Sequence, residues 1–385
     1  MRNTVRVGLI TTLNTNIGDD FIREGIRLVL QAVFEGHPLE FRAVNKHRPL
    51  TVYPGWHPTR LLDSLDAYLP RGRDRLPRYA ARLFHRFGLS RFDDCDFIVQ
   101  CGTPVAWPGC SHCEWAEPLW DQVVGRLSRR GVPVLNLGAG SCYSWEEQPE
   151  QVPLEADAAY LRRILGYCRE TTVRDRLAQR LFERLGHSCD LIPCPALLAG
   201  RPFRKTGNRG DLFLVNFMEG AGHFDWEQGI DSPTWRELVR TLLRRVGRHH
   251  ALAFLCHNQH ESDLAATLDP GIPRFLPRDS REYFAVAGRA KLALCNRLHA
   301  SIALAGLGIP SVSVGTDTRL LMVDAVGLPC FYAKEAALAG LEDAIHHLLL
   351  NLNGERDRLL GIAEQAWHAY REAVESALSI AHRGM

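Results

Sequence analysis

Arg297 and His299 stand two residues apart where an apolar run, Lys291–Cys295, gives way to a small-residue segment ending at Gly306 and Gly308. The run reads as a strand and the segment as a helix, with a second strand over Pro310–Val314. A guanidinium and an imidazole are therefore expected at a helix N-terminus on the carboxyl edge of a parallel sheet, where open α/β sheets bind ligands. Unpaired amides and the helix dipole add partial positive charge, so with Arg297 the position suits a phosphate or a carboxylate. His299 is the group there able to move a proton near neutral pH. On these residues alone, a capping arginine and a buried, hydrogen-bonded histidine are an equal alternative.

Further candidates stand at other strand ends. After a strand-like run over Val5–Ile10 comes Thr11-Thr-Leu-Asn-Thr-Asn-Ile-Gly-Asp-Asp20, and then a helical pattern from Phe21 to Phe34. Gly18 permits a tight backbone path and Asp19 is placed to cap the helix. Asn16, Gly18 and Asp19 are thus candidates for a binding loop, with an ordinary βα turn as the competing reading. His257 and Asn258 follow a strand ending at Cys256, and His223 closes the post-strand loop Glu219-Gly-Ala-Gly-His223. His257-Asn258 is expected to face a cleft, and the His223 loop is able to approach a ligand, with a mobile turn as the equal alternative.

Another loop carries Trp107, Trp115 and Trp120 around Cys110-Ser-His-Cys113. Exposed indoles present a flat apolar face with a polar edge, although core packing of one or two of them is expected. Zinc takes four ligands, usually from two such cysteine pairs, and the chain has no second C-x-x-C. No metal is therefore expected, and Cys110 and Cys113 read as plain loop thiols. In residues 71–91, seven arginines flank apolar residues at helical spacing. That stripe is expected to be core beneath a solvated face, with peripheral contact to an anionic membrane as the alternative.

These residues need a scaffold of some size, and 385 residues suit two domains. A formal net charge of +2 argues against nucleic acid as a partner. Only four of the 46 basic residues are lysine, so any one arginine carries little weight by type. The eleven scattered cysteines fit reduced thiols, and the short apolar start fits no signal peptide; a cytoplasmic location is expected.

Strand-like and helix-like runs alternate along the whole chain, the pattern of parallel βαβ units. The expected architecture is α/β: two Rossmann-like domains facing a cleft. The first covers residues 1–199, a linker 200–210, and the second 211–385 with its terminal helices at 335–381.

Four segments then occur in order: Asn16-Ile-Gly-Asp-Asp20, Thr172-Val-Arg-Asp175, Asn296-Arg-Leu-His-Ala300 with Gly308-Ile-Pro-Ser-Val312, and Asp317-Thr-Arg-Leu320 leading to Val326-Gly-Leu-Pro329. This series resembles the polysaccharide pyruvyl transferase family over residues 5–330. Two departures are visible: Gln100-Cys-Gly-Thr-Pro104 replaces a glycine-rich turn, and Cys194-Pro195 stands where Asp-Pro is common.

The resemblance implies a glycosyltransferase-B-like fold and transfer of pyruvate from phosphoenolpyruvate onto hydroxyls of a sugar or glycan as a ketal. No cofactor is implied. It places Arg297 and His299 at the donor in catalytic roles, with Arg174, Arg319, Asn16, Gly18 and Asp19 as donor-binding candidates. The donor side falls to the second domain and the acceptor side to the first. Trp107, His257, Asn258 and His223 are the acceptor-side candidates, and a lipid-linked acceptor would suit residues 71–91. Whether His299 acts as acid or base stays open. The rival readings are a nucleotide-sugar glycosyltransferase of the same architecture and a non-catalytic binding protein that kept the fold.

Overall fold

The computed structural model describes residues 4–13, 16–60, 89–102, 104–204, 210–222 and 226–379. Two all-parallel sheets carry the fold. The first contains β1 (Val5–Thr11), β2 (Leu39–Asn45), β3 (Phe97–Cys101), β4 (Pro104–Ala106), β5 (Val134–Ser141), β6 (Glu170–Val173) and β7 (Asp190–Leu191). Its order is β2-β1-β3-β5-β6-β7, with β4 added to the end of β5. The second contains β8 (Leu212–Asn216), β9 (Ala251–Leu255), β10 (Arg274–Phe275), β11 (Ala290–Cys295), β12 (Ser311–Gly315) and β13 (Cys330–Tyr332), in the order β10-β9-β8-β11-β12-β13.

The central strands are buried along their whole length, as in β3 and β5. Strands covered on both faces lose the polar alternation of a half-exposed sheet. In each sheet the strand order reverses once, between β1 and β3 and between β8 and β11. Loops leaving such a pair diverge and open a crevice. The loops after β1 and β11 carry Asn16 and Arg297, so both crevices hold candidate residues.

Two glycines let the halves meet backbone to backbone. The short helix Ala196–Ala199 packs against both Ile17–Val33 and Leu298–Gly306. A Cβ on Gly25 would lie 2.0 Å from the Pro195 carbonyl oxygen, and one on Gly306 would lie 2.0 Å from that of Leu197. Neither carbonyl can retreat, because it belongs to the wedge itself. The last helix, Leu352–Ala377, returns across the seam to pack on Ile17–Val33 and Leu298–Gly306. Ile26, Leu198, Leu304 and Tyr370 consequently share one buried cluster.

Several expectations change. Asp19 does not cap the first helix: Asn16 does, its Oδ1 accepting from the Gly18 N–H at 3.0 Å. The helix starts at Ile17, which moves Asp19 into the first turn. The segment after the Trp107–Cys113 loop is π-helical over Ala116–Val124 and α-helical only over Gly125–Arg129. The three-residue strands β4 and β13 and the wedge Ala196–Ala199 are too short to carry a periodic signal. Of segment 71–91 only residues 89–91 are described, so its membrane contact falls outside the described residues. No described helix is long and apolar enough to cross a membrane.

Candidate active site

Asn296, the last residue before the Arg297 position, ties three loops together. Its Oδ1 accepts from the Met218 N–H at 2.9 Å, and its Nδ2 donates to the carbonyls of Ala221 and Val314 at 3.2 and 3.0 Å. The segments after β8 and β11 and the end of β12 are thereby fixed together. The Arg297 N–H donates to Asn216 Oδ1 at 2.7 Å, and its Nε donates to Glu261 Oε1, also at 2.7 Å. Glu261 is 2% exposed at its side chain. It accepts further from Asn216 Nδ2 and from the His257 N–H, both at 2.9 Å. Burial opposes its charge, but the pull of His257 and Arg297 and these hydrogen bonds hold the carboxylate below its ordinary range.

Arg319 is held the same way. Its Nε and Nη2 reach the two oxygens of Asp317 at 2.8 and 2.6 Å, a fork-to-carboxylate pairing. Burial would lower the guanidinium pKa; Asp317 outweighs it and keeps the charge. This loop is locked to the first sheet. Ser144 and Asp317 form an antiparallel bridge, and Tyr143 and Thr318 exchange hydrogen bonds at 3.0 Å.

His299 occupies the first turn of Leu298–Gly306, 8% exposed. Arg174, fully buried just beyond β6, points Nη1 at its Nε2 over 3.1 Å. A guanidinium only donates, so the His299 Nε2 lone pair accepts and the neutral ring carries its proton on Nδ1. Burial first, then the charges of Arg174 and Arg319, push His299 well below its ordinary pKa. The N-terminus of the first helix abuts it: a Cβ on Gly18 would lie 3.0 Å from the His299 Cβ and 3.2 Å from Nδ1. Gly18 is thus required for two helix N-termini to converge on one imidazole.

Arg174 is placed behind His299 and not on the cavity wall. Its other contact is with Cys194 Sγ at 3.7 Å, and its Nε and Nη2 find no partner. The thiol stands where the Asp-Pro pattern would put a carboxylate, so Arg174 keeps a buried charge without an anionic hydrogen-bond partner.

His257 closes the seam. Its Nδ1 lies 3.3 Å from Asn16 Oδ1, which joins the two halves directly. Burial drives its pKa down to about 4, Glu261 pulling upward and Arg297 downward. It stands beside Arg297 and His299. Asn258 caps Gln259–Leu268 and donates to Glu261 Oε1 at 3.3 Å; it supports Glu261 and does not line the cavity. His223 lies outside the described residues.

In front of His299 opens a cavity of about 460 Å³, walled by Arg297, Arg319, Asp19, Lys46, Trp107 and Trp115, among others. Trp115 and Trp120 are buried, while Trp107 is half-buried and tilts against Trp115 with ring centres 5.5 Å apart. Burial raises the Cys113 thiol to about 12 and the Cys110 thiol higher still. No cluster of metal-ligating side chains occurs among the described residues.

Two parallel sheets with the site in the cleft between them define a GT-B fold, and solved structures share it. The chain is similar to a putative UDP-N-acetylglucosamine 2-epimerase from Listeria monocytogenes (TM-score 0.58, 12% identity, covering 99% of this chain and 98% of that one). It is also similar to the MnaA–UDP complex of S. aureus (0.57, 10%, 99% and 99%). UDP-GlcNAc 2-epimerase from Neisseria meningitidis bound to UDP-GlcNAc is a third (0.51, 11%, 97% and 100%). No curated protein matches the sequence. The polysaccharide pyruvyl transferase family model matches residues 16–318, from the Asn16 cap to the Arg319 loop, and the chain belongs to that family of transferases.

Proposed function

We propose that this protein transfers the pyruvyl group of phosphoenolpyruvate to two hydroxyls of a sugar or glycan, forming a ketal. The observation that carries this reading is a neutral imidazole, His299, ringed by Arg174, Arg297 and Arg319 where two helix N-termini meet. Phosphoenolpyruvate presents a phosphate and a carboxylate close together, and Arg297 and Arg319 are the two cavity-lining guanidinium groups able to take them. Glu261 and Asp317 orient both groups before the donor arrives. Asp19 would repel a donor anion, so its place is with the acceptor hydroxyls.

Burial first, and then the arginines, keep His299 unprotonated; donor charge would offset the arginines and so raise its affinity for a proton. The protonated ring then supplies the methylene carbon. As the oxocarbenium-like centre develops, a sugar hydroxyl bonds to it, phosphate leaves with the C–O electron pair, and a second hydroxyl closes the ketal. The two hydroxyl protons end on the new methyl group and on phosphate.

Calorimetric titration of phosphoenolpyruvate into the wild type and Arg297→Ala tests this. Saturable binding with proton uptake, weakened about 10- to 100-fold in the variant, is expected. No binding at millimolar donor would overturn the reading. UDP in a parallel titration tests the nucleotide-sugar alternative, which the UDP and UDP-GlcNAc complexes among the structural neighbours favour.

A further inference from the structure

We propose that Lys46 is a further catalytic residue of this transfer, its amine taking the proton from the attacking acceptor hydroxyl. The inference rests on the pyruvyl-transfer reading and deepens it on the acceptor side. Lys46 directly follows β2, and its N–H donates to the Thr11 carbonyl at 2.9 Å, beside the reversal point of the first sheet. Its side chain lines the 460 Å³ cavity, yet the residue is only 5% exposed. The ammonium lies 4.7 Å from the centre of the Trp115 ring. It has no hydrogen bond or ion pair with any described residue, whereas Arg297 and Arg319 in the facing wall each have a carboxylate.

Enclosure without a direct anion partner desolvates the amine and favours its neutral form, against the attraction of the Trp115 ring for the cation. Burial accordingly lowers this lysine to about 8, despite the opposing pull of Asp19. Two nearby carboxylates are engaged. Asp317 is forked to Arg319, and Glu114 meets His47 at 2.6 Å. Asp19 acts on both Lys46 and Arg319, and would stabilise the ammonium once the proton has arrived.

The step balances. The first hydroxyl's O–H bond breaks, its oxygen bonds to the central carbon, and its proton passes to the Lys46 amine. His299 protonates the methylene carbon. Phosphate departs with the C–O electron pair and takes the proton from Lys46. The second hydroxyl then bonds to the same carbon and returns its proton to His299.

Lys46→Arg separates a base from a mere charge, because a guanidinium keeps the cation and cannot deprotonate. Wild type, Lys46→Arg and Lys46→Met are compared with phosphoenolpyruvate and a panel of methyl glucoside, galactoside and mannoside, read as pyruvyl mass gain. Both variants are expected to lose about 100-fold or more in kcat. Their phosphoenolpyruvate affinity, read by calorimetry, should stay within about twofold of wild type. Full transfer by Lys46→Arg alone would overturn the proposal while leaving the donor reading intact. Loss of donor binding in the wild type would sink the donor reading itself. A second measurement needs no acceptor: the four lysines are ¹³C-methylated in the intact protein and the Lys46 resonance, assigned by its loss in Lys46→Arg, is titrated. A midpoint near 8 supports the base, and one at or above about 10 overturns it.

Discussion

On the second-sheet side of the cleft, Arg297 meets Glu261 at 2.7 Å, Arg319 meets Asp317 at 2.6 Å, and Asn296 binds three loops into one body. On the first-sheet side, Lys46 and Arg174 are both buried, and neither is hydrogen-bonded to a carboxylate among the described residues. The partnered wall is held in place by its own ion pairs and hydrogen bonds. The other wall leaves charge desolvated and without a hydrogen-bonded carboxylate among the described residues. One wall is pre-organised and the other is poised.

The largest effect should come from breaking a pair in the partnered wall. Glu261→Gln removes the carboxylate that Arg297 Nε meets, in a site where Glu261 is 2% and Arg297 13% exposed. Removing one member of a buried pair costs about 3–5 kcal/mol, read here as the loss in urea unfolding free energy. The double variant Glu261→Gln/Arg297→Gln should recover much of that loss, since no unpaired charge remains. A Glu261→Gln protein as stable as wild type would break the comparison.

His257, at the seam between the walls, sharpens it through pH. Its native pKa is about 4 against an ordinary 6.5, so between these values the unfolded chain binds a proton that the native chain refuses. Its contribution is complete above pH 6.5 and is lost as pH falls toward 4, by up to about 1.4 kcal/mol per pH unit. His257→Asn should lack that part of the slope when unfolding curves are compared from pH 7 to pH 4. Parallel slopes in the two proteins would show that the ring is protonated freely in the native state.

Much of the partnered wall was legible from local pattern. The helix Leu298–Gly306 lies where its small residues and glycines put it, and Arg297 and His299 stand at its start because strand, turn and helix are contiguous. Their partners were not legible. Asn258-x-x-Glu261 reads as an ordinary capping box on a surface helix. Only the pairing of β9 and β11 with β8 shows that Glu261 faces Arg297. Asp317 sat in a quoted motif, but its fork to Arg319 depends on the turn between them. Lys46 was one lysine among many cations until Trp115, from a segment far along the chain, covered it. Gly25 and Gly306 likewise show their purpose only when Pro195 and Leu197 arrive from another element.

Arg174 sets the smallest effect on stability and the sharpest test of the poised wall. Arg174→Met removes a fully buried cation whose contacts are His299 Nε2 at 3.1 Å and the Cys194 thiol at 3.7 Å. The change breaks no hydrogen bond to a carboxylate, although buried Asp175 loses the pull of the guanidinium, and methionine fills irregular space well. The unfolding free energy should therefore stay within about 1 kcal/mol of wild type, or rise, because an uncompensated desolvation is removed. Function should respond in the opposite sense. Without the Arg174 field, the His299 pKa climbs toward its ordinary value, and the Nε2 lone pair that fixed the ring's tautomer is released. An imidazole resonance that titrates at higher pH in Arg174→Met, together with lost transfer and unchanged stability, is the expected outcome. A loss of several kcal/mol instead would mean that Arg174 belongs with Arg297 and Arg319 as a structural cation, and the contrast between the walls would fail.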